Sequence, residues 1–148
     1  MDILATAGLG LMIGGGGAGS AIGLAISSSA FLGLLKKKPE LFGTGLALVM
    51  PPATQGLYGF VAFILYKNYV TANLSVFQGS IILAAGIGMF FSCLFSAIWQ
   101  GRVCADGIAA IAQGKNVFGI TMMLAAFPEF YAMLSFVAAI LMQGLLML

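Results

Sequence analysis

A single carboxylate, Glu129, interrupts the apolar run from Val117 to Leu148. An ionised carboxylate in bilayer hydrocarbon costs several kcal/mol or more unless it is paired or protonated. A chain that keeps one there uses it. Two amides stand at the same depth. Gln100 lies thirteen residues before the polar turn 113–116, Glu129 thirteen residues after it, and Gln55 fifteen residues beyond Glu40. At the helical rise per residue, all three sit roughly 20 Å from their turns. Thr54 and Tyr58 flank Gln55 and, four apart, share a helix face.

Prolines enrich this level. Pro51 and Pro52 deprive the carbonyls of Ala47 and Leu48 of helical donors, and Pro128 does the same for Leu124. Free backbone oxygens in lipid need protein, water or an ion nearby. The set is therefore all oxygen: the Thr54 hydroxyl, the Gln55 and Gln100 amides, a kinked-backbone carbonyl and the Glu129 carboxylate, with the Tyr58 hydroxyl able to hold the carboxylate. One formal negative charge among oxygens suits a hard monovalent cation, because binding leaves the site neutral. Sodium fits best, and a proton stays open. Alone, each polar residue would be interhelical glue. Their coincidence at one depth with the deep carboxylate favours an ion site.

The elements that must position these groups are helical and membrane-spanning. Of 148 residues, 61% are hydrophobic and 7% charged, with mean hydropathy +1.12. Soluble domains carry about 25% charged residues. The whole chain, 1–148, reads as one polytopic membrane domain. Net charge +2 is too small and too confined to turns to suggest nucleic acid. The absence of histidine removes most zinc and triad chemistry. Cys93 and Cys104, eleven residues apart on one predicted helix, read as packing residues.

Four apolar segments, about 3–35, 41–66, 76–112 and 117–148, each exceed the ~20 residues that span a bilayer as a helix. No period-two alternation suggests strands. The first segment has no preceding Lys or Arg and is too long for a cleavable leader, so it is expected to be the first spanning helix. Short turns make antiparallel hairpins. Lys36, Lys37, Lys38 and Lys115 put turns 36–40 and 113–116 on the cytoplasmic side of the cell membrane, with both termini outside. Arg102 and Asp106, four apart, are expected to pair.

The chain also repeats itself. Ser20-Ala21-Ile22 matches Ser96-Ala97-Ile98, Phe42-Gly43 matches Phe118-Gly119, and Phe60-Val61-Ala62 matches Phe136-Val137-Ala138, all 76 residues apart. The expected units are a first hairpin, 1–72, without a carboxylate, and a second, 73–148, with Glu129. Pro52 matches Pro128, but Ala53 stands where the second half has Glu129. A parallel repeat argues against inverted-repeat transporters. The first segment, with Gly8, Gly10, Gly14 to Gly17, Gly19 and Gly23, is small on nearly every side, which suits the inner layer of a tight oligomer better than a lone four-helix bundle.

Three motifs carry a resemblance: Pro51-Pro52-Ala53-Thr54-Gln55-Gly56-Leu57-Tyr58-Gly59-Phe60, Trp99-Gln100-Gly101-Arg102, and Pro128-Glu129-Phe130-Tyr131-Ala132. With them the whole chain resembles the rotor-ring proteolipid (subunit K, or c) of V-type ATPases, especially bacterial sodium-translocating ones. The resemblance implies that Glu129 carries the ion. It implies that Thr54, Gln55 and Gln100 give side-chain oxygens to sodium, that Pro51 gives a backbone carbonyl, and that Tyr58 holds Glu129. The double proline departs from relatives with leucine before a single proline. Implied partners are identical copies in a homo-oligomeric ring, a stator membrane subunit with an essential arginine, a central-stalk subunit and membrane lipids. The chain would have no catalytic site of its own. The competing class is a small cation-coupled multidrug exporter.

Overall fold

The computed structural model describes residues 3–71 and 73–147. Helix α1 spans Ile3–Lys37, α2 Phe42–Val49, α3 Thr54–Lys67, α4 Val76–Ala112 and α5 Phe118–Met142. Short 3₁₀ turns cover Pro39–Leu41, Pro51–Ala53 and Gln143–Met147. Among the described residues there is no strand. Among the described residues, four stretches are long and apolar enough to cross a membrane: Ile3–Lys37, Pro39–Lys67, Val76–Ala112 and Phe118–Met147. The protein is all-α, two antiparallel hairpins in one four-span membrane unit. The expected boundary between hairpins, 72/73, involves residue 72, which lies outside the described residues.

The double proline breaks the second crossing. Without amide hydrogens at Pro51 and Pro52 the backbone tightens, and the Ala53 amide donates to the Met50 carbonyl at 3.0 Å instead of to Val49. The Ser27 hydroxyl reaches the released Val49 carbonyl at 3.1 Å. A side-chain donor thus serves Val49, a position beyond the Ala47 and Leu48 carbonyls expected from the prolines. Pro128, by contrast, sits inside a continuous α5.

The ends are set by local chemistry. Ser75 caps α4: its hydroxyl accepts from the Gln78 amide and the Gln78 side chain accepts from the Ser75 amide. Gly114, at φ 87°, ends α4, and the Lys115 amide folds back to the Ala110 carbonyl at 3.1 Å. Lys38 Nζ donates to the Ile111 carbonyl at 3.4 Å, so the first and third turns share one end of the molecule. At the other end Gln78 Nε2 donates to the Leu146 carbonyl at 2.8 Å, and the Tyr66 hydroxyl donates to the Ala139 carbonyl.

Helices α1 and α4 meet backbone to backbone. A Cβ on Gly8, Gly15, Gly19 or Gly23 would fall less than 3.0 Å from α4 main chain at Ile82, Phe90, Leu94 and Ala97 respectively. Gly86 and Gly101 answer from α4, against Gly8 and Gly23. Gly16 and Gly59 bring α3 onto α1 in the same way, at Gln55 and Met12. Small residues earn this closeness with dispersion contacts that lipid alone does not supply. Two apolar clusters result. One gathers Met12, Tyr66, Ile82 and Met89, the other Phe31, Leu34, Leu48 and Ile108. Cys93 and Cys104 are free and buried.

Arg102 and Asp106 do not form the expected pair: among the described residues no ion pair joins them. Arg102 instead lies over the Trp99 ring, 4.9 Å from its centroid. With the base preceding the acid, the pair runs in the weaker helical order, and the indole face offers the guanidinium a cation–π contact.

Gly15→Val is expected to destabilise the chain by roughly 1–3 kcal/mol or more. Gly33→Val, at a glycine with nothing within 4 Å, should cost far less. Denaturation in detergent, followed by helical circular dichroism, compares the two.

Candidate ion-binding site

Between the two apolar clusters lies a polar layer built by α3, α4 and α5. Gln55 is 0% and Gln100 1% exposed, whereas Glu129 is half-buried. Amides so deep must find partners, and they find each other. Gln55 Nε2 donates to Gln100 Oε1 at 2.8 Å and to Ser96 Oγ at 3.0 Å. Gln100 Nε2 donates to Glu129 Oε2 at 3.0 Å and to the Ala125 carbonyl at 2.9 Å. The Tyr58 hydroxyl donates to Glu129 Oε1 at 2.8 Å. Each oxygen of the carboxylate therefore accepts a hydrogen bond, one from each hairpin.

The remaining expected groups sit one hydrogen bond further along. Thr54 Oγ1 is 3.0 Å from the Pro51 carbonyl and 3.3 Å from Gln55 Oε1. Its amide also donates to that carbonyl. Pro51 O, Thr54 Oγ1 and Gln55 Oε1 form a cluster of three oxygens, with the hydroxyl at its centre. All six residues singled out by the sequence, Pro51, Thr54, Gln55, Tyr58, Gln100 and Glu129, thus belong to one connected network. The 3₁₀ turn at Pro51–Ala53 is what starts α3 at Thr54 and aims its first turn into the layer.

Three serines take parts that spacing alone did not reveal. Ser96, legible in the sequence only as a small residue, accepts from Gln55 and donates to the Pro128 carbonyl at 2.8 Å. Ser92 donates to the Tyr131 carbonyl at 2.9 Å. With Gln100 they make a ladder: donors at every fourth residue of α4 meet the carbonyls of Ala125, Pro128 and Tyr131 on α5. Ser20 Oγ accepts from the Gly56 amide at 2.8 Å, seating the first turn of α3 on α1. The available signal was the four-residue register Ser92, Ser96, Gln100. Small size masked it, because serine serves equally as a spacer.

Chemically the layer offers an anionic oxygen, neutral amide and hydroxyl oxygens and a main-chain carbonyl. Among the described residues no lysine or arginine pairs with Glu129.

A family model for the C subunit of ATP synthase matches the chain twice, over residues 7–66 and 83–142. The two matches start 76 residues apart, the offset of the internal repeat. The V-type sodium ATPase subunit K of Enterococcus hirae is 41% identical over 127 residues, covering 85% of this chain and 81% of that protein. The A-type ATP synthase subunit K of Methanocaldococcus jannaschii is 36% identical over 140 residues, 95% of this chain and 61% of that protein. The 16 kDa proteolipid of the V-type proton ATPase of Rattus norvegicus is 23% identical over 125 residues, 84% of this chain and 81% of that protein. Two helical hairpins, each matched along most of its length, around a single deep carboxylate: this chain belongs to the ATP synthase C-subunit family.

Proposed function

We propose that the chain is the membrane rotor subunit of a V-type ATPase, carrying sodium on Glu129. The observation that carries this reading is the state of the carboxylate. Both its oxygens are held by neutral donors, Tyr58 and Gln100, and among the described residues no cationic side chain pairs with it. Two hydrogen bonds to a charged group contribute about 1.5–3 kcal/mol each. The idealised cost of moving such an ion into a medium of low dielectric is of order 20 kcal/mol. Hydrogen bonds therefore disperse the charge without cancelling it. A captured monovalent cation cancels it.

The oxygens supporting such a cation are Glu129, Gln55 Oε1, Thr54 Oγ1, the Pro51 carbonyl and Gln100 Oε1. Gln100 presents its nitrogen to Glu129 in the structure. Half a turn of that amide exchanges nitrogen for oxygen at Glu129; because Gln100 Oε1 also accepts from Gln55 Nε2, the Gln55 amide has to turn with it, and the two together convert the hydrogen-bonded network into a cation-binding one. Tyr58 keeps the carboxylate aimed throughout. The similarity to a sodium ATPase subunit supports this choice. The proton is the second reading. It is favoured by the completeness of the network without a metal, and by the similarity to a proton ATPase proteolipid.

In this function identical copies form a ring driven by ATP hydrolysis elsewhere in the complex, through a central-stalk subunit. This chain has no catalytic role. A stator subunit presents an arginine that competes for Glu129, and the ion leaves by an aqueous path. Away from the stator the neutral site travels through lipid. One carboxylate per four helices carries fewer ions per turn than one per hairpin, which suits pumping against a steep gradient. Basic residues orient the chain with turns 36–40 and 113–116 in the cytoplasm and the termini outside. The multidrug-exporter alternative loses ground to the parallel duplication and the family membership.

Glu129→Gln should abolish sodium-22 binding and transport while the assembled oligomer keeps its size; retained transport would defeat the assignment. Dicyclohexylcarbodiimide, which reacts with a protonated carboxyl, should label Glu129, and sodium should protect it. Labelling at near-neutral pH that ignores sodium would transfer the role to the proton. Gln100→Ala should raise the sodium concentration needed for half-protection about tenfold or more, equivalent to ~1.4 kcal/mol, and affect proton use less.

A further inference from the structure

Helix α1 carries no group of the proposed ion site, yet it holds both ends of the segment that carries three of them. Ser27 is 0% and Ser20 7% exposed. They stand seven residues apart, two turns, and so share one face of α1 with about 10 Å between them. Their partners on the second crossing are also seven residues apart. Ser27 Oγ lies 3.1 Å from the Val49 carbonyl, and Ser20 Oγ accepts from the Gly56 amide at 2.8 Å. Between those two points lie Pro51, Thr54 and Gln55.

Ser27 has one hydroxyl hydrogen and three carbonyls in reach: Val49 and, at 3.2 Å, Gly23 and Leu24. The last two belong to the continuous α1, where the amides of Ser27 and Ser28 serve them. The Val49 carbonyl has lost its helical donor, because the Ala53 amide goes to Met50. The hydrogen therefore stabilises most on Val49, where a buried oxygen would otherwise stay unpaired.

The second hairpin offers a comparison. Adding 76 turns Val49 into Ala125 and Ser27 into Val103. The Ala125 carbonyl is met by Gln100, itself part of the polar layer, and α5 runs on without a break. The counterpart of Gln100 is Leu24, a side chain with no hydrogen-bond donor. The hydroxyl three residues on, at Ser27, takes its place. That hydroxyl is present where the crossing is broken and absent where it is continuous.

We propose that Ser20 and Ser27 are positioning residues for the ion site. Together they splint the 3₁₀ turn and so set the spacing of the Pro51 carbonyl, Thr54 Oγ1 and Gln55 Oε1. Neither serine is itself a ligand. A proton needs one oxygen of Glu129, whereas sodium needs several oxygens at fixed distances. The splint therefore acts on sodium affinity and leaves protonation alone. Size selectivity depends on cavity dimensions and on how far the ligands can give. A loosened turn lets these oxygens close around a smaller cation, so discrimination of sodium from lithium falls with it. This inference deepens the sodium reading above and rests on it.

The test uses the full chain in its native membranes, with dicyclohexylcarbodiimide labelling of Glu129 as the readout. Ser27→Ala should raise the sodium concentration for half-protection about three- to tenfold. It should also narrow the gap between sodium and lithium, and leave the sodium-free labelling rate, the oligomer size and the helical content unchanged. Ser20→Ala should act in the same direction. Ser29→Ala is the control, because that hydroxyl donates to the Ala25 carbonyl of its own helix, and it should change nothing. Unaltered half-protection in both Ser20→Ala and Ser27→Ala would overturn the splint and leave the sodium reading standing. So would a loss of oligomer with normal protection in what remains, which is the mark of a purely structural role. Sodium that fails to protect the wild-type chain would overturn the sodium reading, and the splint with it.

Discussion

A carboxylate placed in hydrocarbon constrains everything around it. Glu129 cannot be left to the lipid, and among the described residues no lysine or arginine pairs with it. Each of its oxygens is instead held by a neutral donor from a different hairpin, Tyr58 from the first and Gln100 from the second. Those donors need positions of their own. Gln100 is fixed by Gln55 and by an α5 carbonyl, and Gln55 by Ser96, until the network closes on backbone. The close approach of α1 to α4, glycine against main chain, is what brings the two hairpins near enough for that closure.

The crossings, their number and their pairing are legible in the sequence, because apolar length and short polar turns leave few alternatives in a bilayer. The polar layer is legible for a related reason. Polar side chains are rare in such segments, so Gln55, Gln100 and Glu129 announce a common depth. What sequence could not resolve was which oxygen meets which nitrogen. The half-turn that sends the Gln100 amide nitrogen to Glu129 depends on local competition among neutral partners. The Pro51–Pro52 break was visible, but the tightening into a 3₁₀ turn, and hence the release of the Val49 carbonyl to Ser27, is a three-dimensional outcome. The Arg102–Asp106 expectation failed because i,i+4 spacing permits a pair without requiring one, and the Trp99 face was the better neighbour.

Duplication followed by divergence gives the two hairpins different duties on one backbone plan. The first keeps small residues on both sides of α1 and contributes amide and hydroxyl groups from α3. The second keeps the acid and replaces several glycines with aromatic rings. Where Gly15, Gly19 and Gly23 admit a neighbouring backbone, Phe91, Phe95 and Trp99 present bulk at the same levels. Divergence thus changed side-chain bulk at these levels without altering the helical frame that both halves share.

The ladder from Ser92, Ser96 and Gln100 to the α5 carbonyls has a mechanical consequence. If the Gln100 rung is surrendered when its amide reorients, the two serine rungs still lock the sliding register of α4 against α5. Cargo exchange then resembles changing one bearing in a frame that stays bolted. The change is confined to the two coupled amides, Gln100 and Gln55, instead of being passed along the helices.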